Sequence, residues 1–314
     1  MTLVLSERDV LSLIDMGEVV SSVEEAFRRE GLGEATNSMR TRSRGGSSVL
    51  NVMHANLAYL KRGGLKAYMS SRAGTKFVLV LFDNSDSTPL AVMGADTIGR
   101  FRTGAASGVA TKYLYGAPSG TLALFGSGKQ ALTQALAMAS VMSLEDVRVW
   151  SPTAAHRESC ARLLRENGLK AHSLDSPLAA LEGAQVACAI TSSKEPFLTE
   201  SMLHGLSHVN ICGSNAQSHA EMTPAAVGSF DTVVVDDLAQ ARVEYGDLIM
   251  AESSGRFAWE SAVDLASVVA GRTAHHGRTL FKSGGIALED VAVASALYDK
   301  AMKSGEGYSR ADFR

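Results

Sequence analysis

Little in this chain offers covalent or metal cross-linking. Only three cysteines occur, Cys160, Cys188 and Cys212. They are odd in number, far apart and without a CxxC pair, which argues against a disulfide framework and leaves them as reduced core residues. The eight histidines form no ligand cluster, and His275-His276 reads as a loop pair, so no metal is expected. No stretch approaches the roughly 18 uninterrupted apolar residues of a membrane helix. The start, MTLVLSERDV, lacks the basic and apolar regions of a signal peptide, so a cytoplasmic location is expected, with no membrane partner. A net charge of -3 gives phosphate backbones no attraction, and nucleic acid is not an expected partner.

What is present is ordinary globular material. Hydrophobic residues make up 46% and charged residues 20%, and 314 residues suffice for two domains. Asp15 to Glu18 has the D-x-x-E form of a helix start, and Val19, Val20, Val23, Ala26 and Phe27 then recur at helical spacing, so a helix is expected near 16–30. From Ser47 to Gly94 the texture changes to short apolar runs, VLNVM, GLKAYMSS, KFVLVLFD and PLAVMG. Turn signals separate them, which predicts antiparallel strands. Small residues in RTGAASGVATKYL predict a closely packed helix over 97–115, stopped by Gly116 and Pro118.

Beyond that stop, apolar strands alternate with helical segments: TLALFG, a helix over 128–142, VRVWS, a helix over 153–166, KAHSL, QVACAIT, HVNICG and DTVVVDD. The alternation predicts an α/β domain with a doubly wound parallel sheet of Rossmann type. In TLALFGSGKQA an apolar strand runs into Gly126-x-Gly128 and a helix starting at Lys129. Gly126 allows a tight turn, Gly128 lets backbone approach a ligand, and the helix start offers free N–H groups to a pyrophosphate. Ala131 replaces the third glycine of the full fingerprint. The acid that would bind an NAD ribose at the end of the second strand is absent, and Ser151-Pro152-Thr153 stands there. Ser151 and Thr153, helped by His156 or Arg157, could bind a 2′-phosphate, which leans toward NADP over NAD; equally, these residues could simply cap the next helix.

GLKAYMSS at 64–71, FRTGAASGVATKYL at 101–114 and GSGKQA at 126–131, supported by VVVDDLAQA at 233–241 and SGGIALEDVAVA at 283–294, resemble the ornithine cyclodeaminase and mu-crystallin family. That family includes alanine dehydrogenases and ketimine reductases. The resemblance implies a Rossmann domain over 118–289, inserted into an α+β substrate-binding and homodimerisation domain built from both chain ends, 1–117 and 290–314. It implies that Lys66 and Arg102 meet a substrate carboxylate together with an upstream basic residue, Arg40, which competes with Arg42 and Arg44 for the part. An arginine grips a carboxylate through a two-pronged fork, and a buried lysine among cations can pass a proton. Cofactor contacts are expected from Gly126, Ser127, Gly128, Lys129 and Gln130 in the loop, and from Ser151 and Thr153 at the second strand. Thr103, Thr191, Gly213 and Ser283 complete that set.

One position departs from the family pattern. Ornithine cyclodeaminases carry an aspartate in a G-x-D sequence after the strand matching HVNICG, whereas this chain reads Gly213-Ser214-Asn215. An amide cannot take a proton as a carboxylate does. The expectation is therefore an NAD(P)-dependent oxidoreductase interconverting a small α-amino acid and its imine, with Lys66 and Asn215 as catalytic-site residues. The alternatives are an ornithine cyclodeaminase, converting ornithine to proline and ammonia, and a non-catalytic, NADP-bound protein of mu-crystallin type.

Overall fold

The computed structural model describes residues 1–305 and 307–313. The chain divides into two compact units, Met1–Arg102 with Ile286–Arg314, and Thr103–Gly285. The first unit opens with strand β1 (Thr2–Leu5) and helices α1 (Glu7–Leu13) and α2 (Met16–Gly31). Asp15 Oδ1 accepts from the Glu18 N–H at 3.0 Å, which starts α2 as the D-x-x-E spacing predicts. Its spaced apolar residues, from Val19 to Phe27, are all buried.

A meander follows: β2 (Ala35–Gly45), β3 (Ser48–Leu57), β4 (Arg62–Ser71), β5 (Gly74–Asp83) and β6 (Pro89–Gly94), each antiparallel to the next. Helix α3 (Asp96–Leu114) comes next, and the Glu7 carboxylate accepts from the N–H groups of Asp96 and Thr97 at its start. The sequence stops this segment near 117, yet the compact units divide inside α3. Its early turns are tied to Glu7, whereas from Gly104 onward it packs on the next helix. A Cβ on Gly104 would lie 2.4 Å from the Thr133 carbonyl oxygen, and one on Gly108 3.0 Å from that of Ala137. The small residues of RTGAASG are thus required by helix contact.

The second unit contains β7 (Ser119–Phe125), α4 (Ala131–Val141), β8 (Ser143–Trp150), α5 (Ala154–Glu166), β9 (Ala171–Ser173), α6 (Pro177–Leu181) and β10 (Val186–Ala189). It continues through β11 (His208–Ile211), α7 (Pro224–Val227), β12 (Thr232–Val235), α8 (Leu238–Glu244), α9 (Gly246–Ser253), β13 (Ala262–Asp264), α10 (Leu265–Val269) and β14 (Thr279–Lys282). The strands form one parallel sheet in the order β13-β12-β14-β11-β10-β7-β8-β9. β10, β11, β12 and β14 are buried along their whole length, as a parallel sheet covered on both faces demands. The chain moves outward from β7 to β9 and then returns to β10 on β7's other side. That reversal makes a switch point at the carboxyl ends of β7 and β10, where sheets of this kind bind ligands.

The chain then re-enters the first unit as α11 (Ala287–Ser304) and β15 (Ser309–Ala311), completing a seven-stranded sheet ordered β15-β1-β6-β5-β4-β3-β2. α11 lies on one face of this sheet, so closely that a Cβ on Gly64 would sit 3.1 Å from Val291 Cγ2. On the other face Leu50, Met69 and Val78 remain 38%, 44% and 38% exposed. The molecule is therefore an α/β protein that combines a Rossmann-type sheet with an α+β unit from both chain ends.

Candidate functional site

In the second unit a cleft of about 440 Å³ opens just beyond the carboxyl ends of β7, β8, β10 and β11. Gly126, Ser127, Gly128, Lys129 and Gln130 line one wall, Ser151, Thr153 and His156 another, and Thr191 and Gly213 lie among the rest. Nine of the eleven expected cofactor contacts therefore share one cavity. Gly126 has φ +109°, and a Cβ there would fall 2.5 Å from the Ile190 carbonyl oxygen, so only glycine fits. Its N–H donates to the Trp150 carbonyl at 2.9 Å, which pins the turn between β7 and β8. At Gly128 a Cβ would meet nothing within 4 Å; this glycine keeps the cleft open rather than the fold intact. α4 begins at Ala131, two residues later than the sequence suggests, after the loop has turned.

The far side of the cleft is fixed by charges that lie beneath it. Buried Glu221 accepts from the Thr191 N–H at 2.7 Å and from the Gly213 N–H at 2.8 Å, clamping the loops after β10 and β11. A Cβ at Gly213 would fall 2.2 Å from the Thr191 oxygen, which explains the glycine. Asp247 accepts from the N–H groups of Glu221 and Met222 and pairs with Lys282 at 3.0 Å. Burial pushes the Glu221 carboxyl up; burial alone would push Lys282 down, but Asp247 and Glu221 hold it above its ordinary value.

Two expected cofactor contacts lie elsewhere. Ser283 is buried and its hydroxyl donates to Asp236 Oδ2 at 2.9 Å, alongside the N–H groups of Gly284 and Gly285, while Tyr245 donates to the other Asp236 oxygen. Thr103 is buried in α3, and its carbonyl accepts from Gln134 Nε2 at 3.4 Å. Asn215 sits half-buried in the loop after β11.

In the first unit Lys66, Arg102 and Arg40 converge. Lys66 lies mid-sheet on β4, between Met53 and Leu79, and is 2% exposed. Its Nζ lies 2.7 and 2.6 Å from the two oxygens of Asp290. Arg102 Nε donates to Asp290 Oδ1 at 3.1 Å and its Nη1 to Glu289 Oε2 at 2.8 Å. Both acids occupy the first turn of α11, where the helix dipole favours negative charge. Arg40 sits at an irregularity in the β2–β3 register, between Ser38 and Thr41, and is buried; Arg42 and Arg44 are exposed. A bulge of this kind re-aims a side chain. The structure thereby separates Arg40 from its two neighbours.

Burial lowers the Lys66 ammonium to a pKa of about 8, with Arg102 and Arg40 pushing the same way and Asp290 opposing them. Such a lysine can exchange a proton near neutral pH. Glu289, Asp290 and Glu221 escape a motif-based reading. For Glu289 and Asp290 the one local signal is an acid pair set in the apolar run IALEDVAVA, which burial makes expensive unless a cation answers it.

Residues 1–305 match the ornithine cyclodeaminase/mu-crystallin family. This chain belongs to that family. It is 29% identical to an alanine dehydrogenase of Archaeoglobus fulgidus over 100% of this chain and 99% of that protein. Its fold matches that of Thermococcus litoralis Δ1-pyrroline-2-carboxylate reductase in complex with NADH and L-proline, with a TM-score of 0.91, 29% identity, and 98% of this chain and 100% of that one covered. An archaeal alanine dehydrogenase dimer with bound NAD matches with a TM-score of 0.90 at 29% identity, over 100% and 99% of the two chains. No described helix of this family member is long and apolar enough to cross a membrane.

Proposed function

We propose that this protein is an NAD(P)-dependent oxidoreductase that interconverts a small α-amino acid and its imine. The observation that carries the reading is the buried Lys66, set near pKa 8 among Arg102, Arg40 and Asp290. The second unit is the cofactor domain and the first the substrate domain. The Gly126 loop fits a dinucleotide pyrophosphate, because the open face of Gly128, the Lys129 cation and the strand ends supply space, charge and backbone donors. A bound nicotinamide supplies hydride to the carbon of the C=N bond, or accepts it in the reverse direction. Arg102 and Arg40 bind the substrate carboxylate. Lys66 holds the proton at Nζ that the imine nitrogen receives, which balances the reduction of C=N to CH–NH.

Relatives in the family include an alanine dehydrogenase and a Δ1-pyrroline-2-carboxylate reductase, which agrees with this chemistry. A second copy of the chain covers the apolar face that carries Leu50, Met69 and Val78, in keeping with the archaeal dimer. Light scattering on the wild type and on Met69→Lys tests it; a monomeric wild type refutes it.

The deciding experiment follows NADPH and NADH oxidation with pyrroline-2-carboxylate and with pyruvate plus ammonia, and separately follows proline formation from ornithine. Imine-dependent oxidation is the expected result. Proline and ammonia from ornithine at comparable rates would establish the cyclodeaminase instead, and cofactor binding without any turnover would establish a binding protein.

A further inference from the structure

We propose that the cleft selects the dinucleotide bearing a phosphate on the adenosine 2′-oxygen, NADP(H), over NAD(H). Ser127, Ser151, Thr153, His156 and Arg157 determine that selection. The inference rests on the reading that the Gly126 loop holds a nicotinamide dinucleotide. In sheets of this type the adenosine ribose meets the end of the second strand, and selectivity there is electrostatic. A carboxylate accepts hydrogen bonds from two free ribose hydroxyls and repels a phosphate, whereas hydroxyls and cations favour the phosphate.

Here the second strand is β8, and the residue that follows it is Ser151. The residues lining the cleft include no aspartate or glutamate. Ser127 and Ser151 pair through their hydroxyls at 2.8 Å, with Ser151 only 5% exposed. Two hydroxyls bring two protons and share one, so the other is left to donate to a ligand.

Thr153 stands at the start of α5 yet makes no capping bond with its side chain, and the first turn of α5 carries no acid. The sequence left open whether Ser151 and Thr153 merely cap this helix; the Thr153 geometry speaks against that role. His156, in the first turn of α5, also lines the cleft.

Arg157 brings a fixed positive charge to the same strand end. Its Nη1 donates to the Ser151 carbonyl at 3.3 Å, and its Nη2 pairs with Asp175 at 2.5 Å. Asp175 is the acid that pairs with this guanidinium, and its side chain is 98% exposed. It therefore meets Arg157 from the solvent side, where an ion pair is weak and screened. A phosphate dianion would compete for that guanidinium, since an arginine binds phosphate through two prongs. The relatives with NADH and NAD in their structures need not share this preference, because identity with them is 29%.

Titration of the whole protein with NADPH and NADH, read by the fluorescence of the reduced nicotinamide, tests the proposal. NADPH is expected to bind at least about tenfold more tightly, the scale of one added charge-assisted contact. Adenosine 2′-monophosphate should displace NADPH at concentrations where the 5′-monophosphate does not. Arg157→Ala should shrink the NADPH-to-NADH ratio, and Ser151→Asp should turn it toward NADH. Equal or tighter binding of NADH by the wild type overturns the proposal, as does a ratio unmoved by both substitutions in variants with wild-type thermal unfolding. The wild-type ratio and the monophosphate competition decide the matter even if a variant fails to fold. Binding of neither dinucleotide would refute the cofactor reading itself, and this proposal with it.

Discussion

The protonation of Lys66 gives the sharpest test of the proposed chemistry. With a pKa of about 8, the ammonium is about nine-tenths protonated near pH 7 and about one-tenth near pH 9. If Nζ supplies the proton for imine reduction, kcat falls as pH rises through about 8 and then drops roughly tenfold per unit. Oxidation of the amino acid needs the neutral amine, so its rate rises through the same region. Asp290→Asn removes the charge that raises Lys66 and leaves burial, Arg102 and Arg40, all of which lower it. The falling limb should therefore move to lower pH in that variant. Lys66→Gln should abolish the limb and cost roughly 10²–10⁴ in rate, the usual range for a lost proton donor. Initial rates from nicotinamide absorbance, measured across the same buffers for all three proteins, cancel any titration of the imine itself. A limb at one unchanged pH in wild type, Asp290→Asn and Lys66→Gln would show that another group titrates, and would remove Lys66 from the mechanism.

Gly128→Val should leave thermal unfolding nearly unchanged, because a Cβ there meets nothing within 4 Å, while cofactor binding in calorimetry is lost; unchanged affinity would displace the pyrophosphate from this loop. Glu221→Gln replaces one of two acceptor oxygens beneath Thr191 and Gly213, so cofactor affinity should fall by about 1–3 kcal/mol in the same titration, and an unaltered Kd would deny the clamp its effect on the cleft. His208 is buried, its Nδ1 lies 2.8 Å from Thr279 Oγ1, and burial lowers its pKa to about 4. The folded state disfavours the proton, so stability present above pH 6.5 is lost as pH falls toward about 4, by up to about 3 kcal/mol. Urea unfolding of His208→Asn should show a flatter acid limb than wild type, and identical limbs would assign the acid sensitivity to other groups.

Features governed by near neighbours in the chain are legible from sequence. The Asp15 cap, the strand runs between Ser48 and Gly94 and the strand-turn-helix at Gly126 each appear where the local pattern puts them. Features that depend on distant partners are not. β14 is missing from the strand series read in the sequence, because TLFK is short and ends in a lysine, yet it lies between β11 and β12 in the middle of the sheet. Lys282 is tolerated there because Asp247, the Ser214 carbonyl and the nearby Glu221 answer its charge. β2, ATNSMRTRSRG, shows no apolar alternation, since as an edge strand it holds its place through pairing with β3. Asp290 meets Lys66 from 224 residues away, a pairing that no spacing rule could anticipate.

The balance of protons also decides between the two enzyme chemistries that the family pattern offers. Ring closure of a diamino acid needs an oxidation, attack by the distal amine, loss of ammonia and a second hydride step, with a base to move protons between them. Reduction of a preformed imine needs one hydride and one proton. In the loop after β11 this chain places Asn215, an amide with no proton to accept or release at neutral pH, where the cyclodeaminase pattern has a carboxylate. In the first unit the acids that meet Lys66 and Arg102 are Asp290 and Glu289, both already bonded to those cations and so poorly suited to serve as a base. One lysine set near pKa 8 suffices for the single proton of an imine reduction, and it is that economy of titratable groups which favours the reductase over the cyclodeaminase.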